Sequence, residues 1–305
     1  MKRKSAFFLL SLLGILSISY VWISKSFRKE IPIQEPRHFK YQQAHYFASI
    51  PISKFTAANQ PCLAVQFNDE TVSVMLDLGF RGHISFSSDF LDRIKHKKYL
   101  RSKKMYGALG HEYEEKLYEG PTMHIGPLSF SGLLIHEHSD KFHENATLFI
   151  KEGEMLSTPE PGRVGWELFE NTNLLLDLKN SKIAFCDSLD TLKNRGYPTE
   201  SFIKTALLVE RGLVECEAES PERPLLCMLD TGATCNVVNS EKSIDSTVEY
   251  TSLKIGGQEM GPITFHCFPI KMPIHIEAIL GMEFFQNHVV FLDFAENSVY
   301  FLKTK

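Results

Sequence analysis

An internal repeat constrains the fold of this chain more than any other feature of its sequence. Residues 164–177 match residues 280–293 at a constant offset of 116 positions (281 − 165), and most apolar positions are apolar in both copies. Such a repeat predicts that the chain folds as two copies of one structural unit. The identical pairs are Gly165/Gly281, Glu167/Glu283, Phe169/Phe285, Asn171/Asn287, Leu176/Leu292, Asp177/Asp293 and Phe185/Phe301.

Each half also contains, upstream of this segment, a hairpin-like pattern that runs into an aspartate followed by x-Gly. Residues 62–76 lead to Asp77, and residues 213–229 lead to Asp230. Short runs of β-branched and aromatic residues between turn signals dominate both halves, and they predict strands. One short helix is expected over residues 88–97, with Phe90, Leu91 and Ile94 on its apolar face. The fold class predicted is therefore all-β.

The aspartate of the second half has neighbours that suit a functional carboxylate. A carboxylate that emerges from an apolar strand is costly unless hydrogen-bond donors receive it. Gly232 allows the backbone to turn so that amide groups point at the carboxylate oxygens of Asp230. Thr231 adds a hydroxyl that can bond across to a partner loop. The tripeptide alone is a weak signal, because it also occurs in ordinary turns.

The context of Asp230 makes this signal specific. The apolar strand that enters Asp230-Thr-Gly is followed, 51 residues later (281 − 230), by Ile279-Leu-Gly281. This combination resembles the retropepsin/pepsin clan of aspartic peptidases, in which an apolar-apolar-Gly segment crosses beneath the D-[TS]-G loop. The resemblance covers essentially all of residues 202–304. It implies a catalytic Asp230, loop support from Gly281, and an active-site loop of Thr231, Gly232, Ala233 and Thr234.

The first half resembles the same clan with one departure. Its D-x-G-F-x-G-x-[LI] pattern, residues 77–84, is similar to that of bacterial retropepsin-like proteins, which implies that Asp77 is catalytic, with Gly79 in its loop and Gly165 as loop support. Leu78 stands where Thr or Ser is expected. Half of the reciprocal hydrogen bonding between the loops is therefore predicted to be missing, at a cost of about 0.5–1.5 kcal/mol.

A flap over the substrate cleft is the third expected part. Residues 105–110 contain Tyr106-Gly107 between Asp77 and a later strand, and they resemble the Tyr-Gly hairpin of pepsin-type enzymes. An ordinary exposed hairpin is the alternative interpretation. The corresponding interval of the second half, residues 239–249, is short and polar, so one flap is predicted for the chain.

The resemblance implies a bilobal acid-protease fold of two pseudo-symmetric β-barrel lobes, with one carboxyl from each lobe. Two carboxyls about 3 Å apart cannot both ionise, so they share a proton and together activate a water for peptide hydrolysis. The function predicted is that of an aspartic endopeptidase, a monomer without cofactor or metal that takes a peptide or protein substrate. Leu78 motivates the first alternative, a catalytically weak or inactive pseudopeptidase that binds peptides or envelope proteins in the same cleft. The second alternative is a homodimer that pairs two second lobes.

The residue three positions after Asp77 leads to one further expectation. Phe80 replaces a small or hydroxylic residue, so little extra hydrogen bonding to the Asp77 carboxylate is predicted. We therefore expect a mildly acidic rather than a strongly acidic pH optimum.

The N-terminus predicts contact with a membrane. An uncharged apolar run over residues 6–23 follows three basic residues, and about 18 helical residues come close to spanning a bilayer core. We expect a single-pass anchor with the catalytic body outside the cytoplasm; a signal peptide that is cleaved to give a secreted or periplasmic protein is the alternative. The domains predicted are an anchor or signal segment at 1–29, a tether at 30–55, a first lobe at 56–195 and a second lobe at 196–305.

Composition argues against several other classes of function. With 33 basic and 37 acidic residues the net charge is −4, which leaves no basic surface for nucleic acid. None of the six cysteines stands in a C-x-x-C pair, and several lie in apolar runs, so buried thiols are predicted, with disulfides as the alternative. The histidines at 136, 138 and 143 do not have the spacing of a standard metal site, and we expect a solvated loop there.

Overall fold

The computed structural model describes residues 47–56, 59–67, 70–106, 112–138, 160–170, 172–209, 211–242 and 246–304. The predicted anchor and most of the predicted tether lie outside these residues, so both remain predictions. Within the described ranges, no helix has the length and apolar character needed to cross a membrane.

The first half consists mainly of strands, which follow the apolar runs seen in the sequence. β2 and β3 form an antiparallel hairpin, and β3 ends at Asp77. β10 lies parallel to β3 and antiparallel to β4, and β4 lies parallel to β9. The strands are β1 (Phe47–Phe55), β2 (Pro61–Phe67), β3 (Glu70–Asp77), β4 (Ile84–Ser87), β5 (Lys98–Tyr106), β6 (Glu112–Glu119), β7 (Met123–Ile125), β8 (Leu128–Phe130), β9 (Leu134–His138), β10 (Gly162–Gly165), β11 (Asn173–Asp177) and β12 (Lys182–Cys186).

The second half repeats these pairings in a six-stranded closed barrel. β14 and β15 form the antiparallel hairpin, β19 lies parallel to β15 and antiparallel to β16, and β16 lies parallel to β18. The two halves therefore share one topology around the strand that leads to each aspartate. The strands are β13 (Ile203–Ala206), β14 (Glu215–Glu219), β15 (Pro224–Leu229), β16 (Val237–Asn239), β17 (Thr247–Ile255), β18 (Gln258–Phe268), β19 (Ala278–Leu280), β20 (His288–Asp293) and β21 (Ser298–Lys303).

Six strands, three from each half, join the halves in the order β13-β21-β20-β11-β12-β1. At the centre, β11 pairs antiparallel with β20, and Leu175 faces Phe291. These two residues are equivalents in the sequence repeat (291 − 175 is again 116). The flanking pairs are related by the same symmetry. Leu174 faces Leu292, and Leu176, the repeat equivalent of Leu292, faces Val290, the repeat equivalent of Leu174. This register is the one that a local twofold axis between β11 and β20 produces.

Within the described residues, helices are few and short, as the sequence predicts for the two halves. The expected helix over 88–97 is confined to α1 (Ser88–Leu91), and the chain continues in turns, although Phe90, Leu91 and Ile94 are buried as predicted. The other helices are α2 (Leu189–Asn194) and α3 (Met282–Phe285), with 3₁₀ turns at Trp166–Phe169, Leu178–Asn180 and Thr199–Ser201.

The last nine residues of the predicted tether belong to the fold. They form β1, which pairs with β12 through Phe47–Pro51 and with β2 through Ile52–Phe55. Ala48 and Ile50 are buried in the core, so burial alternates along this segment as in a strand. Pro51, which is common in linkers and edge strands, concealed this in the sequence.

The cysteine prediction is confirmed. All six thiols are free and buried, at Cys62, Cys186, Cys216, Cys227, Cys235 and Cys267.

Candidate active site

The two aspartates occupy equivalent positions at the ends of equivalent strands. Asp77 ends β3 and lies opposite Gly165, the last residue of the parallel strand β10. Asp230 directly follows β15, and its amide donates to the carbonyl of Leu280, which precedes Gly281. A turn closes after each aspartate, because the amide three residues on donates to its carbonyl, from Phe80 in the first half (3.1 Å) and Ala233 in the second (3.3 Å).

The support glycines explain why the loop and the crossing segment can approach so closely. A Cβ on Gly165 would lie closer than 3.0 Å to the carbonyl oxygens of Phe80 and Gly82. A Cβ on Gly281 would lie equally close to those of Ala233 and Cys235. The obstacle at both sites is backbone, which no rotamer change can move.

Each carboxyl packs against the glycine of the opposite half. A Cβ on Gly79 would lie 2.5 Å from the carboxyl carbon of Asp230, and a Cβ on Gly232 would lie 2.5 Å from Oδ1 of Asp77. Besides burial, the charge of Asp77 raises the pKa of Asp230, because the two carboxyls lie close together. The structure thus brings the two predicted carboxyls together within one chain, with the Asp-x-Gly loops in reciprocal contact.

Thr231 links the two loops from the second half. Its hydroxyl donates to the carbonyl of Leu76 (2.7 Å) and accepts from the amide of Leu78 (3.1 Å). The Leu78 side chain has no group that could make the reciprocal contact, and it is fully buried in the core. Of the two side chains at this position of the loops, Thr231 forms hydrogen bonds to the opposite loop and Leu78 does not, as the sequence predicts.

Replacing Thr231 by Val should reveal how much this link contributes. Valine keeps the shape but leaves the buried carbonyl of Leu76 and amide of Leu78 without their partner, so we expect the free energy of unfolding to fall by about 2–3 kcal/mol. Urea denaturation measures this loss. The matched control is Thr234→Val, an exposed site in the same loop, where the change should stay within about 0.5 kcal/mol. Equal losses at the two sites would contradict a linking role for Thr231.

The surroundings of Asp230 favour its protonated form. Burial and the neighbouring charge of Asp77 raise the pKa of Asp230 to about 7, although the amide of Gly232 donates to its Oδ1 at 2.7 Å and the amide of Ala233 also donates to the carboxyl. The residue keeps a partial opening to solvent, so a small molecule or water can reach it. At mildly acidic pH this carboxyl holds a proton.

The surroundings of Asp77 differ from those expected. Nη1 of Arg163 donates to Oδ2 of Asp77 at 2.9 Å, and both side chains are almost fully buried. The expectation that Phe80 leaves this carboxylate with little hydrogen bonding is therefore wrong. The physical reason is that the Phe80 ring supports the arginine, whose guanidinium lies 4.2 Å from the ring centroid. Nε of Arg163 also donates to Oγ of Ser85 at 3.2 Å.

Sequence reasoning missed Arg163, although the repeat contained a signal. Arg163 precedes Val164-Gly165, where the second half has Ile279 before Leu280-Gly281. A charged residue in an apolar-apolar-Gly segment breaks the repeat next to a catalytic candidate. Such a break points to a specific partner, because arginine is seldom buried unless it is paired.

The expectation of a solvated loop is wrong for His136 and His138, and His143 lies outside the described residues. His136 and His138 are buried in β9. Nδ1 of His136 is hydrogen-bonded at 2.8 Å to Oε2 of Glu115, a fully buried residue of β6. The error arose because these histidines belong to a buried strand, in which the His136 ring also packs edge-on against Phe80. Among the described residues, no three metal-binding side chains converge.

The flap prediction is only partly covered by the structure. β5 and β6 pair as a hairpin from Lys98/Glu119 to Tyr106/Glu112. Tyr106 ends β5, and Gly107 lies outside the described residues. The role of this hairpin as a flap therefore stays a prediction.

A contact that the sequence did not predict also joins the halves at the loops. The side-chain amide of Gln60 donates to the carbonyl of Gly232. It adds a polar contact between the first half and the loop of Asp230.

Comparison with known proteins gives matches in structure. No family model and no curated protein matches the chain in sequence. The aspartic proteinase from Irpex lacteus superposes with a TM-score of 0.54, at 11% identity, over 85% of this chain and 98% of that one. The chain has a pepsin-like fold. Basic 7S globulin from soybean is similar as well, with a TM-score of 0.52 at 12% identity over 86% of this chain and 96% of that one.

These similarities show the fold of the chain. An activity has to be inferred from the residues of the site. One of the two structures is named a proteinase and the other a globulin, and both identities are low. They support the pepsin-like fold and do not extend to the bacterial retropepsin-like subtype.

Proposed function

We propose that the chain is an aspartic endopeptidase whose catalytic groups are Asp77 and Asp230. The observation that carries this proposal is the reciprocal packing of the two carboxyls, that of Asp230 on Gly79 and that of Asp77 on Gly232, which brings them together at one place. A pair in this arrangement holds one proton over a range of pH, and it offers a base and an acid at one place.

The reaction follows from that single proton. The ionised carboxyl takes a proton from a water molecule while the water oxygen bonds to the carbon of the scissile carbonyl. The protonated carboxyl gives its proton to the carbonyl oxygen, so a neutral gem-diol forms. Breakdown then moves the first proton to the amide nitrogen as the C–N bond breaks, and a diol hydroxyl returns a proton to the other carboxyl. The products are a carboxylic acid and an amine, and the dyad regains its starting state.

Support for the dyad comes from the rigidity of its surroundings. Thr231, Gly165 and Gly281 fix the loops through buried hydrogen bonds and close backbone contacts. Preorganised groups of this kind lose little free energy to reorganisation during the reaction.

The pH dependence of hydrolysis tests the proposal. The pKa of Asp230 is raised to about 7, and the reaction needs its proton, so kcat/KM should decline as pH rises through about 7. The measurement is kcat/KM of the full-length chain on a peptide selected from a mixed library, from about pH 3 to about pH 9, with a pepstatin-type inhibitor as control. Activity that keeps rising well above pH 7, or a maximum below about pH 3, would contradict the assignment.

A second candidate function is a peptide-binding protein with the same cleft but little catalysis. The ion pair between Arg163 and Asp77 favours it, because a neutralised carboxylate is a weaker base. Binding of the pepstatin-type inhibitor without any peptide hydrolysis between about pH 3 and about pH 9 would favour this candidate over the peptidase.

We further propose, from the first-half pattern over residues 77–84, membership of the bacterial retropepsin-like group, with a monomeric chain acting on peptides or proteins. The N-terminal residues 6–23 support a membrane-anchored location with the catalytic body outside the cytoplasm. The mass of the mature N-terminus separates this anchor from a cleaved signal peptide.

A further inference from the structure

The two carboxyls of the dyad have unlike partners, although the strands around them are equivalent. Asp77 receives Arg163 from β10, whereas the equivalent residue beside Asp230 is Ile279 of β19. Backbone amides of Gly232 and Ala233 donate to Asp230. Among the described residues that contact the two carboxyls, the positively charged one lies on the Asp77 side.

The position of Arg163 is fixed by several contacts at once. Its guanidinium stacks on Phe80 at 4.2 Å, and Nε donates to Ser85 at 3.2 Å while Nη1 donates to Asp77 at 2.9 Å. Ser85 lies opposite Arg163 in the β10–β4 pairing. Arginine holds such a geometry well because its planar fork presents several donors at fixed angles.

Charged and titratable groups around this arginine come from several elements. Burial opposes the charged form of Glu115, but the hydrogen bond from His136 and the charges of His136 and Arg163 outweigh it, so the pKa of Glu115 lies below its ordinary value. Burial lowers the pKa of His136, although its hydrogen bond to Glu115 acts in the opposite direction. The groups are Asp77 of β3, Asp230 after β15, Glu115 of β6, His136 of β9, Lys103 of β5, and the Arg81–Glu167 pair beside them.

In this arrangement the buried guanidinium of Arg163 acts on two buried carboxyl groups. It contacts Asp77 directly, and its charge lowers the pKa of Glu115. Lys103 acts on Glu115 and His136 from the hairpin strand β5. Arg163 is the group that directly contacts the dyad. Because a buried carboxylate without a counter-charge becomes protonated instead, the carboxyl that contacts Arg163 is the one better placed to stay ionised.

We infer that Arg163 is a positioning residue that holds the single negative charge of the dyad on Asp77, so that Asp230 carries the shared proton. This inference rests on the proposed peptidase function and assigns its roles. Asp77 accepts the proton of the attacking water, and Asp230 donates to the carbonyl oxygen of the substrate. Arg163 thereby takes the place of the hydroxyl donor that Phe80 excludes.

The pH profile of Arg163→Met tests this role. Without the cation, the dyad holds its single negative charge less strongly, so the acid limb of kcat/KM should move upward by about 1–3 pH units. Arg163→Lys, which keeps the charge, should retain most of the original position. A merely structural role would lower kcat/KM at every pH and leave the limb in place, and that result would overturn the inference.

The matched control is Arg223→Met. Arg223 pairs with Glu277 at the surface, at the end of β15 opposite to Asp230, and its removal should leave the profile unchanged. If Arg163→Met fails to fold, Phe80→Leu serves instead, because it removes the ring under the guanidinium and keeps the charge. A smaller upward shift in the same direction is expected, and an unmoved limb contradicts the role.

A second measurement does not depend on hydrolysis. In the full-length chain, purified in a mild detergent with its aspartate carboxyl carbons labelled with ¹³C, one resonance should titrate near pH 7. It should disappear in Asp230→Asn. Should it disappear in Asp77→Asn instead, the assignment of the proton is wrong even if peptides are cleaved. If it belongs to Asp230 and shifts in Arg163→Met, but no peptide is cleaved, the proposed function fails while Arg163 still holds the charge on Asp77.

Discussion

Asp230→Asn is expected to lower kcat/KM for peptide hydrolysis by about 10²–10⁴-fold, because an amide cannot donate the proton that the carbonyl oxygen needs. Asparagine has the size of aspartate, so the packing against Gly79 is kept. The measurement is steady-state hydrolysis of the same peptide by wild type and variant at the pH optimum of the wild type.

Stability provides the folding control for this variant. Burial and the charge of Asp77 raise the pKa of Asp230 to about 7 in the folded state. Between the ordinary carboxyl range and about pH 7, the folded state therefore keeps a proton on Asp230 that the unfolded state has released. The wild type therefore loses stability as pH rises through that window. A neutral Asn escapes this loss, so above pH 7 the variant should be at least as stable as the wild type. An inactive variant that is also less stable there would contradict the account.

Asp77→Asn separates the dyad from the homodimer of two second lobes. In such a dimer this substitution keeps near-full activity, whereas in the one-chain dyad it should remove the base and lower kcat/KM by about 10²–10⁴-fold as well. The packing of Asp230 on Gly79 of the same chain favours the second result.

Gly281→Ala is expected to lower the free energy of unfolding by about 3 kcal/mol or more. The added Cβ would lie closer than 3.0 Å to backbone oxygens of Cys235 and Ala233. Relief requires movement of the loop that follows Asp230, so activity should fall together with stability. Urea denaturation and hydrolysis of the peptide measure the two effects.

Gly257→Ala is the matched control for this substitution. Gly257 has open space around a Cβ position but a positive φ of 74°, so alanine there costs about 1–2 kcal/mol through backbone strain alone. A loss at Gly281 no larger than the loss at Gly257 would show that the close crossing does not constrain the loop.

Much of the architecture could be predicted because the repeat encodes it. The offset that relates Gly165 to Gly281 also relates Leu175 to Phe291, and these two face each other where the halves join. The pairing of Asp77 with Asp230 follows from the same duplication, since equivalent strand ends meet near the axis between two halves. The one-sided hydrogen bonding of Thr231 could be predicted from Leu78 alone.

The surroundings of the dyad could not be predicted in the same way. Arg163, Glu115 and His136 lie on three different strands, β10, β6 and β9, and no spacing in the sequence relates them. Their meeting depends on the parallel contact of β4 with β9 and on the register of β6 with β9. The expectation that Phe80 leaves Asp77 with little hydrogen bonding failed for the same reason. The Phe80 ring takes the place of a hydroxyl donor, but it also packs against the guanidinium of Arg163, which donates to Asp77 instead.

The most direct test of the central claim is a double-mutant cycle on the two aspartates. The kcat/KM of Asp77→Asn, Asp230→Asn and the double variant is measured with one peptide at one pH. If the two carboxyls work as a single unit, each single variant should lose about as much activity as the double variant. Losses that multiply, or an Asp77→Asn variant that keeps its activity, would show that the carboxyls act independently and would contradict the shared dyad.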